Sequence, residues 1–373
     1  MTTTSDQDNA LKEFHCIGIV CAGNMGTQMA IAFSEIGLKV SVWDVNEQNV
    51  NELQDWSRNN KTQGGITGFH DINEVVESLE KQERKLFLFS ISHGNPAESV
   101  LGMIKSKLKD GDIVLDGGNE DFRRTQKRQE ECEKIGVHRI GMGVSGGYQA
   151  ARCGPSLSPG GDSKALETVM PLLELYARKH PKSNPCVARI GPGGSVHYLK
   201  MVHNGIEGGM LSTLAEAWSF LHYGLELDYD TIAAIFSQWN ENGGLRGTYL
   251  LNIAADMLRA KKSSCGADGE NDSNEHYVLN EVLDKVVQDD DDTEGTPVWN
   301  IIESASRHIS IPTLAMAHYL RIASGNGAER LLAAKKLQFQ GRSHSRGSKT
   351  KALSSNTCAV LFIDVFWPLS VRA

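Results

Sequence analysis

The chain has 373 residues, enough for two domains or three small ones, and its 40% hydrophobic and 23% charged residues are typical of a soluble globular protein. A formal net charge of −8 and a pI of about 5.9 argue against nucleic-acid or membrane partners. The sequence shows neither a secretory signal nor an apolar run of membrane-spanning length. Its seven scattered cysteines favour reduced thiols, so we expect a cytoplasmic protein.

After a disordered start over 1–13, the sequence predicts a βαβ unit. A strand at 14–20 leads through a glycine-containing turn to a helix at 27–36, and a second strand covers 39–43. Such a turn brings the backbone close to a pyrophosphate, which the helix N-terminus then binds. Cys21 replaces the first glycine of a GxGxxG motif, so an ordinary tight turn is the alternative. The cofactor-binding residues predicted here are Gly18, Ala22, Gly23, Asn24, Met25 and Gly26.

Asp44 ends the second predicted strand and follows Gly23 by 21 residues (44 − 23). At about this spacing a carboxylate meets the ribose hydroxyls of a bound dinucleotide. A carboxylate favours a free 2′-hydroxyl and repels a 2′-phosphate, and no Arg or Lys lies between Asp44 and Leu53. The sequence therefore predicts NAD or NADP as cofactor, with NAD favoured.

Three further strands are predicted at 85–92, 113–115 and 138–143, separated by helices at 95–108 and 120–135. Each strand ends in small polar residues and glycine, and a doubly wound sheet binds ligands at the carboxyl ends of its strands. An ordinary turn is the alternative for each stretch, but three in succession favour a site. The residues concerned are Ser92 and Asn119, which are predicted to bind the cofactor, and Ser145, Gly146 and Gly147.

The pattern changes near 191–194, which divides the chain into predicted domains at 14–192 and 195–337. The first adds a helix at 165–176 and a last strand at 187–190. The second is read as helical, with helices at 230–241, 249–259, 278–287 and 297–305, and one or two helices within 312–336.

Three polar segments of the second half are predicted to lack regular structure. The stretch 262–274 reads as a loop, and 338–373 as a divergent, poorly ordered tail. Four consecutive aspartates at 289–292 indicate a solvated loop, because contiguous residues cannot converge on an ion as spaced ligands do. We therefore expect no metal site.

A helix starting at Ser195, predicted as its N-cap, carries a narrow polar stripe. Lys200 and Glu207 lie seven residues apart, two helical turns, with His203 and Asn204 between them on the same face. A solvated face is the alternative, but the polar groups stop after two turns, so buried catalytic groups are favoured. Three glycines indicate a close approach to this helix: Gly205, Gly208 and Gly209.

Three blocks of the chain resemble the 6-phosphogluconate dehydrogenase family: Asp116-Gly-Gly-Asn119, then Gly143-Val-Ser-Gly-Gly147 with Arg152 to Gly161, and Lys200-Met-Val-His-Asn-Gly-Ile-Glu207. The resemblance implies an α/β Rossmann-like N-terminal domain followed by an all-α C-terminal domain that forms a homodimer. It also implies NAD(P)-dependent oxidation of 6-phosphogluconate at C3, then loss of CO2 to give ribulose 5-phosphate in the pentose phosphate pathway.

The resemblance also implies roles for single residues. Lys200 is the general base that takes the C3 hydroxyl proton and later acts as an acid, and Glu207 is the acid that protonates the enediol at C1. The substrate-positioning residues it implies are Asn119, Ser145, Gly146, Gly147, His203 and Asn204, with Arg321 at the phosphate.

The sequence departs from the family on the phosphate side. Gly208 replaces a tyrosine, Val298 a lysine and Asn300 a threonine. Two other hypotheses therefore stay open: a hydroxyacid dehydrogenase acting on a substrate without the phosphate, and a non-catalytic dinucleotide-binding paralogue.

Overall fold

The computed structural model describes residues 11–180, 184–265, 271–281, 295–325 and 327–337. The chain forms two compact units, Met1–Met201 with Thr293–Thr296, and Val202–Asp292 with Pro297–Ala373. Within the described ranges, no helix combines the length and apolar character needed to cross a bilayer.

The first unit is built on a seven-stranded sheet in the order β3-β2-β1-β4-β5-β6-β7. Its strands are β1 (Cys16–Val20), β2 (Lys39–Trp43), β3 (Ile66–Phe69), β4 (Leu86–Phe89), β5 (Ile113–Asp116), β6 (His138–Ser145) and β7 (Ser156–Gly160). Its helices are α1 (Asn24–Glu35), α2 (Glu47–Asn59), α3 (Ile72–Ser78), α4 (Pro96–Ile104), α5 (Phe122–Glu133), α6 (Gly147–Cys153) and α7 (Ser163–Tyr176). All strand pairs are parallel except β6 with β7.

The strands of this sheet are almost continuously apolar because both faces of the sheet are buried. In β4 (Leu86–Phe89) every residue is buried, and alternate residues enter different cores: Leu86 and Leu88 join one cluster, Phe87 and Phe89 the other. The predicted doubly wound α/β class is thereby confirmed.

Several element predictions for this unit were incomplete. The strand at 39–43 is confirmed. The segment 187–190 runs beside β7, with one parallel bridge between Leu157 and Val187 and backbone hydrogen bonds from Ala188 to Leu157 and from Ile190 to Pro159, but it is not a regular strand. The sheet instead ends with β7, which reads like a loop because it contains Pro159 and Gly160. An edge strand tolerates proline at a position whose N–H would face away from the neighbouring strand. The sequence analysis also missed β3, α2, α3 and α6.

The second unit is mainly helical, as predicted. After α8 (Ser195–Ser219), which starts in the first unit and runs into the second, come α9 (Tyr229–Glu241), α10 (Tyr249–Arg259), α11 (Thr296–Ser306), α12 (Pro312–Ser324) and α13 (Gly327–Leu337). The predicted loop at 262–274 was wrong, because β8 (Lys261–Cys265) and β9 (Asn271–Tyr277) form an antiparallel ribbon. The predicted helix at 278–287 is a 3₁₀ turn at Val278–Glu281; its remainder, the aspartate run and the tail at 338–373 lie outside the described residues.

Candidate active site

The turn between β1 and α1 has the geometry of a phosphate-binding loop. Cys21, at the position of the first motif glycine, adopts a left-handed φ of 77° that glycine tolerates better. A Cβ on Gly26 would collide with the carbonyl oxygen of Cys21, so this glycine lets the helix approach the turn. A Cβ on Gly23, the N-cap residue, would meet no atom within 4 Å.

The first turn of α1 offers its backbone donors to a ligand. No side chain caps the helix, and the first N–H groups of any helix lack intrahelical acceptors. Asn24 and Met25 belong to this turn, and Asn24 is exposed. The residues present therefore fit a dinucleotide pyrophosphate.

Gly18 does not belong to this phosphate loop, which corrects its prediction as a cofactor residue. It lies buried in the middle of β1, where a Cβ would be 2.9 Å from Phe87, 3.0 Å from Val75 and 3.1 Å from Leu79. Its lack of a side chain lets α3 pack on the sheet.

Asp44 is buried and holds the same turn through hydrogen bonds. Its Oδ2 accepts hydrogen bonds from the Ala22 backbone N–H at 2.6 Å and from Asn49 Nδ2 at 3.2 Å, and its Oδ1 accepts from the Asn46 N–H at 2.8 Å. Burial raises the pKa of the Cys21 thiol, and the Asp44 carboxylate beside it adds to this effect. Asp44, which the sequence predicts to bind the ribose, therefore also holds the phosphate loop in its conformation.

The other predicted residues of this unit follow the carboxyl ends of three neighbouring strands. Ser92 and Asn119 are exposed, each three residues beyond its strand, and Ser145 is the last residue of β6. Gly146 and Gly147 take φ values of 115° and 70°, and a Cβ on Gly147 would meet no atom within 4 Å. This edge therefore exposes small polar groups and bare backbone.

Lys200 joins this edge from α8. Its Nζ donates a hydrogen bond to Ser145 Oγ at 2.9 Å, and a Cβ on Gly143 would lie 3.7 Å from Lys200 Cβ. The lysine stem therefore runs beside β6, within ordinary van der Waals range of the strand. The structure brings together two residues that the sequence places 55 positions apart.

The start of α8 differs from its prediction. Ser195 is the first helical residue, and its buried Oγ has no hydrogen-bond partner among the described residues, so it is not the N-cap. The Gly194 carbonyl accepts the first helical bond, from the Tyr198 N–H at 3.0 Å.

A buried histidine that the sequence analysis missed lies one turn before Lys200. His197 Nε2 is 3.0 Å from the Gly118 carbonyl oxygen, and its Nδ1 is 2.7 Å from Thr125 Oγ1. Burial lowers the pKa of His197, and the nearby Asp116 and Glu120 carboxylates oppose this only partly. The sequence did carry a signal for His197, because this residue lies three positions before Lys200 on the same polar stripe.

Buried ion pairs hold the turn that carries Asn119. The Arg139 guanidinium donates to Asp116 Oδ2 at 2.6 and 3.1 Å. Burial alone would raise the pKa of Asp116, but this cation prevails and the pKa is lowered. Arg128 donates to Glu120 Oε2 at 2.6 Å and to the Gly94 carbonyl at 2.6 Å, which links the ends of β4 and β5.

The second unit holds the rest of the polar stripe. His203 Nδ1 donates to Asn204 Oδ1 at 3.1 Å and lies 3.8 Å from Glu207 Oε2. The side chains of His203 and Glu207 are 46% and 45% exposed, so the expectation of a buried glutamate was wrong. On α8 the stripe keeps its predicted spacing, because the helix is continuous from Ser195 to Ser219.

The glycines of α8 have different surroundings. A Cβ on Gly205 would collide with the side-chain amide of Asn300 on α11, which is buried there, and would lie 3.3 Å from Leu314 on α12. A Cβ on Gly208 would meet nothing within 4 Å. The predicted close approach is therefore real at Gly205 and absent at Gly208. Arg321, the predicted phosphate ligand, is an exposed residue of α12.

Two family models match consecutive parts of the chain. The model for the NAD binding domain of 6-phosphogluconate dehydrogenase matches residues 16–191. The model for the 6-phosphogluconate dehydrogenase C-terminal domain matches residues 196–366, a range that includes much of the tail predicted to diverge.

Curated relatives agree with these matches. The decarboxylating 6-phosphogluconate dehydrogenase of Emericella nidulans is 63% identical over 328 residues, which cover 87% of this chain and 66% of the relative. The NAD(+)-dependent decarboxylating enzyme of Bacillus subtilis is 33% identical over 324 residues, covering 86% of this chain and 64% of the relative. The chain thus spans slightly less than two thirds of the length of these relatives.

Among solved structures, Plasmodium falciparum 6-phosphogluconate dehydrogenase matches with a TM-score of 0.75 at 26% identity, covering 95% of this chain and 70% of that one. That enzyme was studied in its apo form, with its cofactor NADP+ and with its substrate 6-phosphogluconate. A 3-hydroxyisobutyrate dehydrogenase of Mycobacterium tuberculosis, 16% identical with a TM-score of 0.55, shares the fold.

Proposed function

The chain belongs to the 6-phosphogluconate dehydrogenase family, and from this premise we propose that it oxidises and decarboxylates 6-phosphogluconate to ribulose 5-phosphate and CO2 with NAD or NADP. The observation that carries the proposal is the hydrogen bond from Lys200 Nζ to Ser145 Oγ at the carboxyl edge of the sheet. This edge also carries the phosphate loop, so a base and a cofactor cradle share one side of the first unit.

The loop at Ala22 to Gly26 would hold the pyrophosphate of the dinucleotide, through the backbone donors of α1. When bound, the dinucleotide accepts a hydride from C3 of the sugar acid. Lys200 Nζ takes the proton of the C3 hydroxyl, and Ser145 keeps the amine directed at the strand end.

Decarboxylation needs the same lysine in the opposite role. The C1–C2 bond of the 3-keto acid breaks, its electron pair forms an enediol, and Lys200 returns its proton to the C3 oxygen. Glu207 then donates a proton to the carbon that lost CO2, while the C3 hydroxyl gives its proton back to Lys200, so that the ketone of ribulose 5-phosphate forms. Two helical turns, about 10 Å along α8, separate the Cα atoms of the two groups, and long side chains on one face can reach neighbouring carbons of a substrate.

Substrate positioning is assigned to the polar groups around these two residues. Asn119, Ser145, Gly146 and Gly147 serve from the strand ends. His203 and Asn204, whose side chains contact each other, serve from α8, and Arg321 binds the phosphate.

We assign a preference for NAD over NADP to Asp44. Its carboxylate is fixed at the end of β2, and the exposed positions that follow, Asn46, Glu47 and Gln48, carry no positive charge. A 2′-phosphate would meet a negative field here. A higher kcat/KM with NAD than with NADP supports this, and the opposite order refutes it.

A second candidate is a hydroxyacid dehydrogenase whose substrate lacks the phosphate. Asn300 packs against Gly205, Val298 brings no charge, and Gly208 has an open space around it, so three family phosphate-side groups are missing. A charge-assisted hydrogen bond contributes about 1.5–3 kcal/mol, so their loss weakens phosphate binding strongly. Turnover of gluconate at or above the rate for 6-phosphogluconate would favour this candidate.

Homodimer formation through the second unit is part of the proposal. Large apolar side chains stay exposed on α8, α12, α13 and the π-turn after α8, among them Leu211, Phe220, Met316, Tyr319, Leu331 and Leu332. Light scattering should give twice the monomer mass, and a monomer at micromolar concentration would contradict it. The scattered cysteines support a cytoplasmic location, which cell fractionation can test.

The deciding assay supplies 6-phosphogluconate with each nicotinamide cofactor and follows CO2 and reduced cofactor together. Equal amounts of both products are expected. Binding of the cofactor without turnover of any sugar acid would support the non-catalytic paralogue instead.

A further inference from the structure

His197 is a buried titratable group of the first unit that the proposed mechanism does not use. Its ring lies between the turn that carries Asn119 and the helix that carries Lys200. A Cβ on Gly141 would be 3.4 Å from its Cε1, so the ring lies within van der Waals range of β6, the strand beside which Lys200 also lies. His197 and Lys200 therefore press against the same strand, one helical turn apart.

The hydrogen bonds of the His197 ring define which of its two nitrogens carries the hydrogen. The Gly118 carbonyl oxygen can only accept, so His197 Nε2 carries the hydrogen and donates it over 3.0 Å. Burial keeps the ring neutral near pH 7, so Nδ1 bears no hydrogen and accepts one from Thr125 Oγ1 at 2.7 Å. That hydroxyl lies farther, 3.2 Å, from the Asp121 carbonyl, its other acceptor.

We propose that His197 is a positioning residue: its neutral ring, protonated at Nε2, ties the Gly118 carbonyl to α8 and so holds Asn119 and Lys200 in register. The inference rests on the proposed function and adds to it a residue that need not touch substrate or cofactor. Asn119 follows Gly118 directly, and Lys200 lies one turn beyond His197. A shift of about 1 Å at either group would lower the rate about 10²-fold.

The enzymatic test compares His197→Leu with His197→Gln. Leucine keeps much of the volume but has no donor, whereas the glutamine amide can still donate to the Gly118 carbonyl. We expect kcat to fall about 10²-fold in the first variant, with the KM for the cofactor within threefold, and the second to recover most of that loss. Equal losses in both variants, or an unchanged kcat in H197L, would overturn the proposal.

Thr125 supplies a matched pair of variants. Thr125→Val keeps the shape and removes the hydroxyl, while Thr125→Ser keeps the hydroxyl. We expect T125V to lower kcat and T125S to stay close to the parent protein. The reverse order would contradict the proposed tautomer.

A nitrogen-15 NMR spectrum of the histidine side chains separates this inference from the proposed function, because it needs no turnover. His197 should show a protonated Nε2 and a bare Nδ1 at pH 7, and T125V should shift the Nδ1 signal. If the parent protein lacks turnover but shows this tautomer, the proposed function fails and the ring assignment stands. A proton on Nδ1 overturns the assignment whether or not the chain is active.

Discussion

The two halves of the polar stripe on α8 lie in different environments. The first half, His197 and Lys200, is tied to the sheet edge by hydrogen bonds to Gly118, Thr125 and Ser145. In the second half, His203 contacts Asn204 and lies 3.8 Å from Glu207, and the side chains of His203 and Glu207 are nearly half exposed. The two halves therefore differ in exposure and in the groups that hold their side chains, which predicts different effects for changes at Lys200 and Glu207.

Lys200→Met should have the largest effect, because methionine keeps the length of the side chain and removes the amine. We expect kcat to fall by about 10³-fold or more, since general acid–base groups contribute about 10²–10⁴-fold and Lys200 acts twice. Lys127→Met, on the exposed face of α5, is the control and should keep full activity. Activity above a tenth of the parent level in K200M would remove Lys200 from the mechanism.

Glu207→Gln should have a smaller effect, because oxidation and loss of CO2 precede its step. We expect kcat to fall about 10²-fold, with the cofactor KM nearly unchanged, in steady-state assays. Glu216→Gln, farther along the same helix and exposed, is the matched control. If E207Q and E216Q behaved alike, the second half of the stripe would be a solvated face.

Two glycines of the phosphate loop offer a comparison of packing with binding. Gly26→Ala should lower the free energy of unfolding by about 1–3 kcal/mol, because the new methyl group collides with the Cys21 carbonyl. At Gly23 an added Cβ has open space and the φ is −67°. Gly23→Ala should therefore leave the free energy of unfolding unchanged while it weakens cofactor binding. Denaturant unfolding and cofactor titration measure the two effects. Equal stability losses would show that the loop geometry differs.

The smallest expected effect is on the pH dependence of the free energy of unfolding, which tests His197 in the first half of the stripe. Burial lowers the pKa of His197, so below its ordinary value of 6.5 the unfolded chain binds a proton that the folded chain does not. The contribution of His197 is therefore fully present above pH 6.5 and is lost as the pH falls, by at most about 1.4 kcal/mol per pH unit.

His197→Gln should flatten this part of the profile between pH 6.5 and 5. The neighbouring charges of Asp116, Glu120 and Arg139 remain in both proteins and act as the internal reference. Parallel unfolding profiles for the two proteins would mean that His197 titrates normally.

Patterns along the chain predicted the parallel strands, the phosphate loop and the spacing of Lys200 and Glu207, because these depend on local periodicity and turn chemistry. They missed β7, since its pairing with β6 is set by a distant strand and its Pro159 and Gly160 resemble a loop. Gly18 was misassigned for a similar reason, because its role depends on Phe87 and Val75 across the sheet.

The sequence analysis missed His197 because the role of a buried histidine depends on partners that are distant along the chain. The chain separates it by 79 positions from Gly118 and by 72 from Thr125. Glu207 was expected to be buried because sequence spacing defines a helix face but not what covers it.

The measurement that tests the central assignment most directly is the ratio of CO2 to reduced cofactor during turnover of 6-phosphogluconate by the parent protein. A base and an acid acting in turn on one substrate predict a ratio of one, with gluconate turned over far more slowly. Reduced cofactor without CO2, or equal rates on gluconate, would contradict the oxidative decarboxylation assigned to Lys200 and Glu207.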